Sequence, residues 1–261
     1  MSDPLFDVAG RVVVVTGGLG QLGAEYVRAL AERGARVAVF DLAEGEQTEQ
    51  VRSWRADVTD RASLERALAD VAALWETPHA LVNNAAIDSP PDAPVEEVGP
   101  FEDYPEASFD RVMDVNVKGM FLACQLVGGA MARVGRGAIV NVSSVYGLLS
   151  PQQDVYEFRR SEGEEFFKPV AYSVSKSAVL NLTRYLATYW ARSGVRVNTL
   201  TLAGVANDQP AAFLEAYEAR VPLGRMLEAR EAVGAVVFLV SDASSYVTGA
   251  NLVVDGGWTA W

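Results

Sequence analysis

The chain has 261 residues, half of them apolar, and a formal net charge of −12. This length suits one α/β domain over residues 1–261, and the acidic charge argues against nucleic acid or an anionic membrane surface as a partner. The single cysteine, Cys124, excludes an intrachain disulfide and indicates a cytoplasmic location, and the single histidine, His79, argues against a His-based metal site or a Ser-His-Asp triad.

The first part of the chain alternates strand-like and helix-like segments. Residues 11–17, "RVVVVTG", form a continuous β-branched run that is typical of a strand buried on both faces. Residues 22–34 have helical apolar spacing and end at Gly34, a suitable C-cap. The further elements predicted here are strands at 35–41, 51–58 and 79–86, a helix at 61–75, and a loop rich in Pro and acid at 87–106.

The second part continues the alternation. Its predicted elements are a helix at 107–134, a strand at 137–144, an irregular charged stretch at 145–169, a helix at 169–194, a strand at 195–204, a loop with a short helix at 205–226, a helix at 228–242 and a strand at 250–257. Such alternation implies parallel strands joined by right-handed crossovers. We therefore predict an α/β fold with a Rossmann-type doubly wound parallel sheet of about seven strands and helices on both faces.

A glycine-rich turn joins the first predicted strand to the first helix in "VVVVTGGLGQLGAEY", residues 13–27. The backbone of such a turn can approach a pyrophosphate, which the positive end of the helix binds. Alone, the motif also fits an ordinary tight turn, but its position between strand and helix favours a dinucleotide. The predicted contacts are Gly17, Gly20, Gln21, Leu22 and Gly23.

Asp41 ends the second predicted strand. A carboxylate there can accept hydrogen bonds from both adenosine-ribose hydroxyls and would repel a 2′-phosphate. Residues 42–45 contain no Arg or Lys that would bind that phosphate. The sequence therefore favours NAD over NADP, although Asp41 is also suited to capping the turn that follows it.

Further motifs follow in a fixed order: "ADV" (56–58), "NNAA" (83–86), "DVNVKG" (114–119), "VNVSS" (140–144), "YSVSK" (172–176) and "VDGG" (254–257). With the glycine turn, this ordered set resembles the short-chain dehydrogenase/reductase family over nearly the whole chain. The resemblance implies a nicotinamide cofactor. The additional cofactor contacts that it implies are Leu42, Asp57, Val58, Asn84, Ala85, Tyr172, Lys176, Ala203 and Val205.

Tyr172 and Lys176 lie four residues apart in a predicted helix and share one face. Tyrosine has a pKa of about 10, so a role as base near neutral pH needs nearby positive charge. By resemblance, Tyr172 exchanges a proton with the substrate oxygen, while Lys176 lowers the tyrosine pKa and holds the nicotinamide ribose. The resemblance also implies that Ser144 binds the substrate oxygen and that Asn116 anchors a water relay to Lys176. Ser143 is chemically equivalent to Ser144, and Asn116 also fits an ordinary polar helix position.

The sequence departs from the usual short-branch pattern in four places, and two of them concern the turn and the mouth of the site. Gln21 stands where that branch usually has glycine, which gives the turn the spacing of the family's extended branch. A long interval between the motif serine and tyrosine adds an insert at 148–169, which we expect at the mouth of the active site, opposite a substrate lid at 205–226. These features are similar to short-chain members of bacterial sugar pathways and flagellin modification. The candidate substrate contacts are Ser144, Tyr156, Arg159, Arg160 and Asn207, with a solvated loop as the alternative for the insert.

The predicted function is an NAD-dependent oxidoreductase that transfers a hydride between the nicotinamide and a secondary alcohol or ketone of a sugar, polyol or sugar acid. Two alternatives stay open: a nucleotide-sugar reductase or epimerase in glycan synthesis, and a non-catalytic NAD-sensing protein. The family resemblance further implies a homotetramer or homodimer. The first ten residues lack a signal peptide's pattern and no continuous apolar run approaches the ~20 residues that span a bilayer, so no membrane partner is expected.

Overall fold

The computed structural model describes residues 3–88 and 95–261. Seven parallel strands form one sheet in the order β3-β2-β1-β4-β5-β6-β7. They are β1 Val12–Thr16, β2 Arg36–Asp41, β3 Val51–Arg55, β4 Ala80–Asn83, β5 Gly137–Ser144, β6 Val195–Leu202 and β7 Asn251–Val254. The predicted doubly wound α/β fold is confirmed. The strand order reverses between β1 and β4, which is where such sheets bind ligands.

Helices cover both faces of the sheet. They are α1 Gln21–Glu32, α2 Arg61–Leu74, α3 Glu106–Val134, α4 Val170–Trp190, α5 Ala211–Glu218 and α6 Val233–Val240. Val12 and Val14 of β1 pack in the core shared with α2, α3 and α4, whereas Val13 and Val15 pack in the core shared with α1 and α6. The strand is apolar at every position because both of its faces are covered.

The long helix α3 is continuous over Glu106–Val134 and contains two π-helical turns, Asp114–Gly119 and Cys124–Gly128. Within the described ranges it is the one helix whose length and composition would allow it to cross a membrane. Half of its most apolar stretch is buried inside the fold, and core helices of globular domains pass the same test. The sequence of this helix has no continuous apolar run, because polar residues on its outer face are interspersed with the apolar residues that pack on the sheet.

Short helical elements occupy segments that the sequence predicts as irregular. The stretch 145–169 contains single 3₁₀ turns at Val145–Gly147 and Gln153–Tyr156 and a helix at Glu157–Ser161. The predicted loop 87–106 contains a helical turn at Val95–Val98, and residues 89–94 lie outside the described residues. Elements of three to five residues are too short to show a helical period in the sequence.

A chain of buried polar side chains crosses the centre of the sheet. The Asn83 amide donates to Asn141 Oδ1 at 2.8 Å, and Asn141 donates to Thr183 Oγ1 at 3.0 Å, which also accepts from Thr199 at 2.8 Å. Asn83 also donates to Cys124 Sγ at 3.1 Å, and burial raises the pKa of the Cys124 thiol to about 12. This polar chain ties β4, β5, α4 and β6 together directly below the carboxyl ends of the strands.

Candidate active site

A cleft of about 850 Å³ follows the carboxyl ends of the strands. It brings together most of the residues predicted from the sequence: Gly17, Gly20, Gln21, Leu22, Asp41, Leu42, Asp57, Val58, Asn84, Ala85, Ser144, Tyr156, Tyr172, Lys176, Ala203, Val205 and Asn207. Gly23, Asn116, Arg159 and Arg160 do not line it. The volume lies within the range of small-molecule and cofactor sites.

The glycine turn sits between the end of β1 and the first residue of α1. Gly17 has φ +62°, and a Cβ on it would lie 2.8 Å from the Ala85 backbone. A Cβ on Gly23 would lie 2.1 Å from the carbonyl oxygen of Gly17, whereas one on Gly20 would meet nothing closer than 3.5 Å. Gly17 and Gly23 therefore let the turn close, and Gly20 leaves open space in front of the helix N-terminus.

Gln21 extends from this turn toward the predicted lid. Its side-chain amide donates to the backbone carbonyl of Ala206 at 2.6 Å. At the other edge of the turn, Asp41 accepts hydrogen bonds from the backbone N–H of Leu19 at 3.0 Å and of Leu42 at 2.8 Å. Asp41 thus caps the turn and also lines the cleft, and its predicted contact with the adenosine ribose stays a prediction.

The neighbouring strand ends hold the floor of the cleft. Thr16 Oγ1 accepts from the backbone N–H groups of Asn84 and Ala85, both at 3.1 Å, and the Asn84 amide donates to the carbonyl of Gly17 at 2.9 Å. Asp57 Oδ1 accepts from the backbone and hydroxyl of Thr59 at 2.8 and 2.7 Å. A tight backbone turn at a helix N-terminus, an acid at the end of β2 and an open cleft between them fit a nicotinamide dinucleotide.

Ser144 and Tyr172 meet at the inner end of this cleft. Ser144 is the last residue of β5; its side chain accepts from the Tyr146 N–H at 3.2 Å and lies close enough to the Tyr172 hydroxyl to lower the pKa of that tyrosine. Ser143 points the other way and donates to the backbone carbonyl of Lys176 at 2.8 Å. Successive strand residues alternate between faces, so only one of the two serines can face the tyrosine.

Lys176 is buried one helical turn beyond Tyr172. Its ammonium donates to the carbonyl of Val142 at 3.1 Å and lies 5.6 Å from the centre of the Tyr172 ring. Burial lowers the pKa of Lys176 to about 8, and the negative charge of Asp88 opposes that change. The Lys176 ammonium is thus held beside the Tyr172 ring, and one of its N–H groups donates to the backbone.

The pKa of Tyr172 differs from the sequence-based expectation. Burial raises it well above the ordinary value, the nearby charge of Asp88 raises it further, and the nearby side chain of Ser144 lowers it. The expected lowering by Lys176 is not found here, because the ammonium is directed to Val142 and not to the tyrosine hydroxyl. In this arrangement Ser144 is the group that favours the phenolate.

Asn116 lies in the first π turn of α3 and is fully engaged in structural hydrogen bonds. Its amide donates to the carbonyl of Ile87 at 2.9 Å and to Ser175 Oγ at 3.0 Å, and its oxygen accepts from the Ile87 N–H at 2.8 Å. The side chain therefore fixes the segment that follows β4 and does not contact Lys176. The proposed water relay through Asn116 stays a prediction.

The insert contributes differently from what the sequence predicts. Tyr156 is buried and faces the cleft beside Phe213, with ring centres 5.6 Å apart. Arg159 and Arg160 instead form ion pairs at 2.6 Å with Glu164 and Glu157, their neighbours within the insert. Neither arginine lines the cleft in this structure, and their contact with substrate stays a prediction.

Two charged residues of the cleft were not among the predicted site residues. Asp88 follows β4, Lys168 ends the insert, and their side chains form an ion pair that lines the cleft. The signal for Asp88 was available, since it comes shortly after the carboxyl end of a central strand, where such sheets bind ligands. Their pairing was not predictable from the sequence, because they lie on different loops.

Comparison with known proteins identifies the family. A family model described as enoyl-(acyl carrier protein) reductase matches residues 18–259. The chain is 38% identical to a galactitol 2-dehydrogenase (L-tagatose-forming) of Cereibacter sphaeroides, over 98% of each chain. It is 37% identical to a cis-4-hydroxycyclohexanecarboxylate dehydrogenase of Sinomonas cyclohexanicum, over 97% of this chain and 98% of the relative.

Solved structures agree. A short-chain dehydrogenase from Leptospira borgpetersenii with bound NAD+ matches with a TM-score of 0.88 and 30% identity, over 99% of this chain and 96% of that one. A gluconate 5-dehydrogenase from Burkholderia cenocepacia in complex with NADP and tartrate matches with a TM-score of 0.83 and 27% identity, over 99% and 98%. The chain belongs to the short-chain dehydrogenase/reductase family of oxidoreductases, whose dehydrogenases use a nicotinamide cofactor.

Proposed function

We propose that this chain is an NAD-dependent dehydrogenase that oxidises a secondary alcohol of a small polyhydroxylated substrate. The observation that carries the proposal is that Ser144 and Tyr172 line one cleft, with the Lys176 ammonium 5.6 Å from the centre of the Tyr172 ring. An acid–base pair at that position serves proton exchange with a substrate oxygen. A protein that only senses NAD has no need for it.

Ser144, Tyr172 and Lys176 each have a distinct role in the proposed reaction. Ser144 holds the substrate oxygen against Tyr172, and Tyr172 accepts the hydroxyl proton. Lys176 keeps a positive charge beside the ring and reaches toward the cofactor ribose. A bound oxidised nicotinamide supplies the hydride acceptor and a positive charge that opposes the raised pKa of Tyr172.

The preference for NAD rests on Asp41, whose carboxylate faces the cleft at the end of β2. Among the described residues, the cations that line the cleft are Lys168 and Lys176, both at the Tyr172 end. Arg55 lies beside Asp41 in the sheet but is exposed and outside the cleft lining. A 2′-phosphate would therefore meet a carboxylate without a cation in the cleft to balance it.

The polyhydroxylated substrate is proposed from the groups around Tyr172. Asp88, Lys168, Asn207 and Gln209 bring charged and amide groups to the lining of the cleft. Such groups can form hydrogen bonds with hydroxyls, which suits a polyhydroxylated substrate better than an apolar one. The galactitol and gluconate dehydrogenases among the similar proteins act on molecules of this kind.

The remaining features of the proposal concern the whole molecule. We propose one domain over residues 1–261, an insert at 148–169, a lid at 205–226, a cytoplasmic location and a homotetramer or homodimer. Tyr185 and Tyr189 stack on each other on the outer face of α4, with 62% and 66% of their surfaces exposed, and such an apolar face suits a subunit contact. Light scattering of the purified protein tests the assembly.

The test is reduction of NAD and NADP, measured in parallel, with galactitol, other polyols, free sugars and sugar acids. We expect turnover with NAD, and a fall of about 10²-fold or more in Tyr172→Phe while NADH still binds. Tyr185→Phe, on the exposed face of the same helix, is the matched control and should keep full activity. Turnover with NADP alone would contradict the role of Asp41, and NAD binding without turnover on the whole panel would contradict the proposed reaction.

A further inference from the structure

An ion pair lies beside the proposed acid–base tyrosine. Lys168 lies near the end of the insert, and Asp88 follows β4. Their side chains form an ion pair, although the two residues are 80 positions apart in the sequence. The Lys168 side chain is 11% exposed and that of Asp88 is 40% exposed, and both line the cleft. Lys168 is thus largely shielded by protein, whereas Asp88 is exposed, and both are open to whatever occupies the cleft.

The pair borders the position of the reacting oxygen. The Lys168 ammonium lies 5.3 Å from the centre of the Tyr172 ring. The charge of Asp88 is close enough to raise the pKa values of both Tyr172 and Lys176. A substrate whose hydroxyl reaches Tyr172 therefore places its neighbouring carbon atoms within reach of the pair.

The walls around the pair are aromatic. Tyr146 and Tyr156 are buried and hydrogen-bonded to each other, and Phe213 and Tyr217 stack behind them with ring centres 5.5 Å apart. These rings displace water, so charges at this end of the cleft interact more strongly than they would in bulk solvent. An unbalanced charge here is correspondingly costly.

The charge balance of this end decides which substrates fit. Lys168 is balanced by Asp88, Lys176 is directed to a backbone carbonyl, and the two arginines of the insert are paired with their own acids. A substrate carboxylate paired with Lys168 would lie beside the carboxylate of Asp88, and the repulsion between the two negative charges would weaken its binding. A neutral diol leaves the pair intact, because one hydroxyl can donate to the carboxylate while the next accepts from the ammonium.

We propose that Asp88 and Lys168 form a substrate subsite that binds the diol next to the reacting carbon and selects neutral polyols over sugar acids. This inference rests on the proposed function and narrows its substrate class. In this subsite Asp88 excludes anionic substrates, and Lys168 donates a hydrogen bond to the hydroxyl next to the reacting one. Neither role requires a change in the fold.

The test is the charge at position 88. Asp88→Asn keeps the size of the side chain, removes its negative charge and leaves Lys168 able to pair with a substrate carboxylate. We measure kcat/KM with NAD for galactitol, xylitol and threitol and for the sugar acids of the same carbon chains. In the wild type we expect the polyols to be favoured, and in Asp88→Asn we expect the polyol-to-acid ratio to fall by about tenfold or more.

Two further variants complete the design. Lys168→Met should lower kcat/KM on polyols without any gain on sugar acids, because it removes the cation of the subsite with which a substrate carboxylate would pair. Asp114→Asn breaks an exposed ion pair with Lys118 on α3 and is the matched control, with no expected change in the ratio. Circular dichroism and NADH binding verify that each variant is folded.

The outcomes separate the two proposals. A polyol-to-acid ratio that stays within twofold of wild type in Asp88→Asn overturns the subsite. No turnover of any panel member by the folded, NADH-binding wild type overturns the proposed function. Thermal shifts of the NADH complex, measured with galactitol and with the corresponding sugar acid, report the same selectivity without turnover. If Asp88→Asn shows the same preference as the wild type in this measurement, the subsite is also overturned.

Discussion

The side-chain amide of Gln21 donates a 2.6 Å hydrogen bond to the carbonyl of Ala206, 185 residues further along the chain. This contact joins the first residue of α1 to the base of the lid. The lid base is also held by Gln209, which donates to the Val205 carbonyl at 2.8 Å, and by the Ala206 N–H, which donates to Leu227 at 2.9 Å. A glycine at position 21 could not make the first of these connections.

Replacing Gln21 by methionine should weaken cofactor binding. Methionine keeps the length of the side chain but has no N–H donor, so the lid loses its tie to the turn. One net hydrogen bond contributes about 1 kcal/mol, which corresponds to about fivefold in affinity. Titration of NADH fluorescence gives the dissociation constant. Gln47→Met removes a similar amide-to-backbone bond outside the cleft and should leave it unchanged; equal affinity in the Gln21 variant would disprove the coupling.

Substitution of the two serines at the end of β5 should affect different properties of the protein: activity for Ser144 and stability for Ser143. Ser144→Ala removes the hydroxyl beside Tyr172, so kcat/KM should fall by about 10²-fold with stability retained. Ser143→Ala removes a buried hydrogen bond to the Lys176 carbonyl, so the free energy of unfolding should fall by about 1 kcal/mol. Steady-state kinetics and urea unfolding of both variants check the assignment, and the reverse pattern would show that Ser143 is the reacting serine.

The stability of the protein should depend on pH through Lys176. Its pKa is lowered from 10.5 to about 8 in the fold, so between those values the unfolded chain binds the proton that the folded protein has released. The free energy of unfolding of the wild type should therefore rise, relative to Lys176→Met, as the pH increases from about 8 toward about 10. Below that window the burial penalty is constant. Urea unfolding of both proteins across this pH range measures the difference. If the free energies of unfolding of the wild type and Lys176→Met change in parallel with pH, the pKa of Lys176 is not lowered in the fold.

Two helical glycines offer a matched pair. In Gly23→Ala the new methyl group would lie 2.1 Å from the Gly17 carbonyl oxygen, so the turn must open, at a cost of about 1–3 kcal/mol and with loss of NADH binding. In Gly234→Ala nothing lies within 4 Å of the methyl group, and the gain in helix stability should be about 0.5–1 kcal/mol. Urea unfolding of both variants measures the contrast. Normal NADH affinity in Gly23→Ala would show that the turn tolerates a side chain.

The sheet was predictable because its signals are local. The buried strands are continuous apolar runs, and β5 has the predicted bounds Gly137–Ser144. The helical spacing of Tyr172 and Lys176 likewise placed both at one end of the cleft. What the sequence could not supply depends on contacts between distant loops: the Asp88–Lys168 pair and the directions of Arg159 and Arg160 are decided by the course of the insert.

Cys124 gives the chain a built-in reporter of its own opening. The thiol sits in the buried polar chain under the strand ends, and its raised pKa keeps it protonated at neutral pH. An alkylating reagent reacts with the exposed thiolate, so it can modify Cys124 only during the moments when α3 lifts from the sheet. Because the chain has one cysteine, one added mass per molecule reports the exposure of this buried site alone. When reclosing is faster than alkylation, the modification rate measures the fraction of molecules in which the site is open.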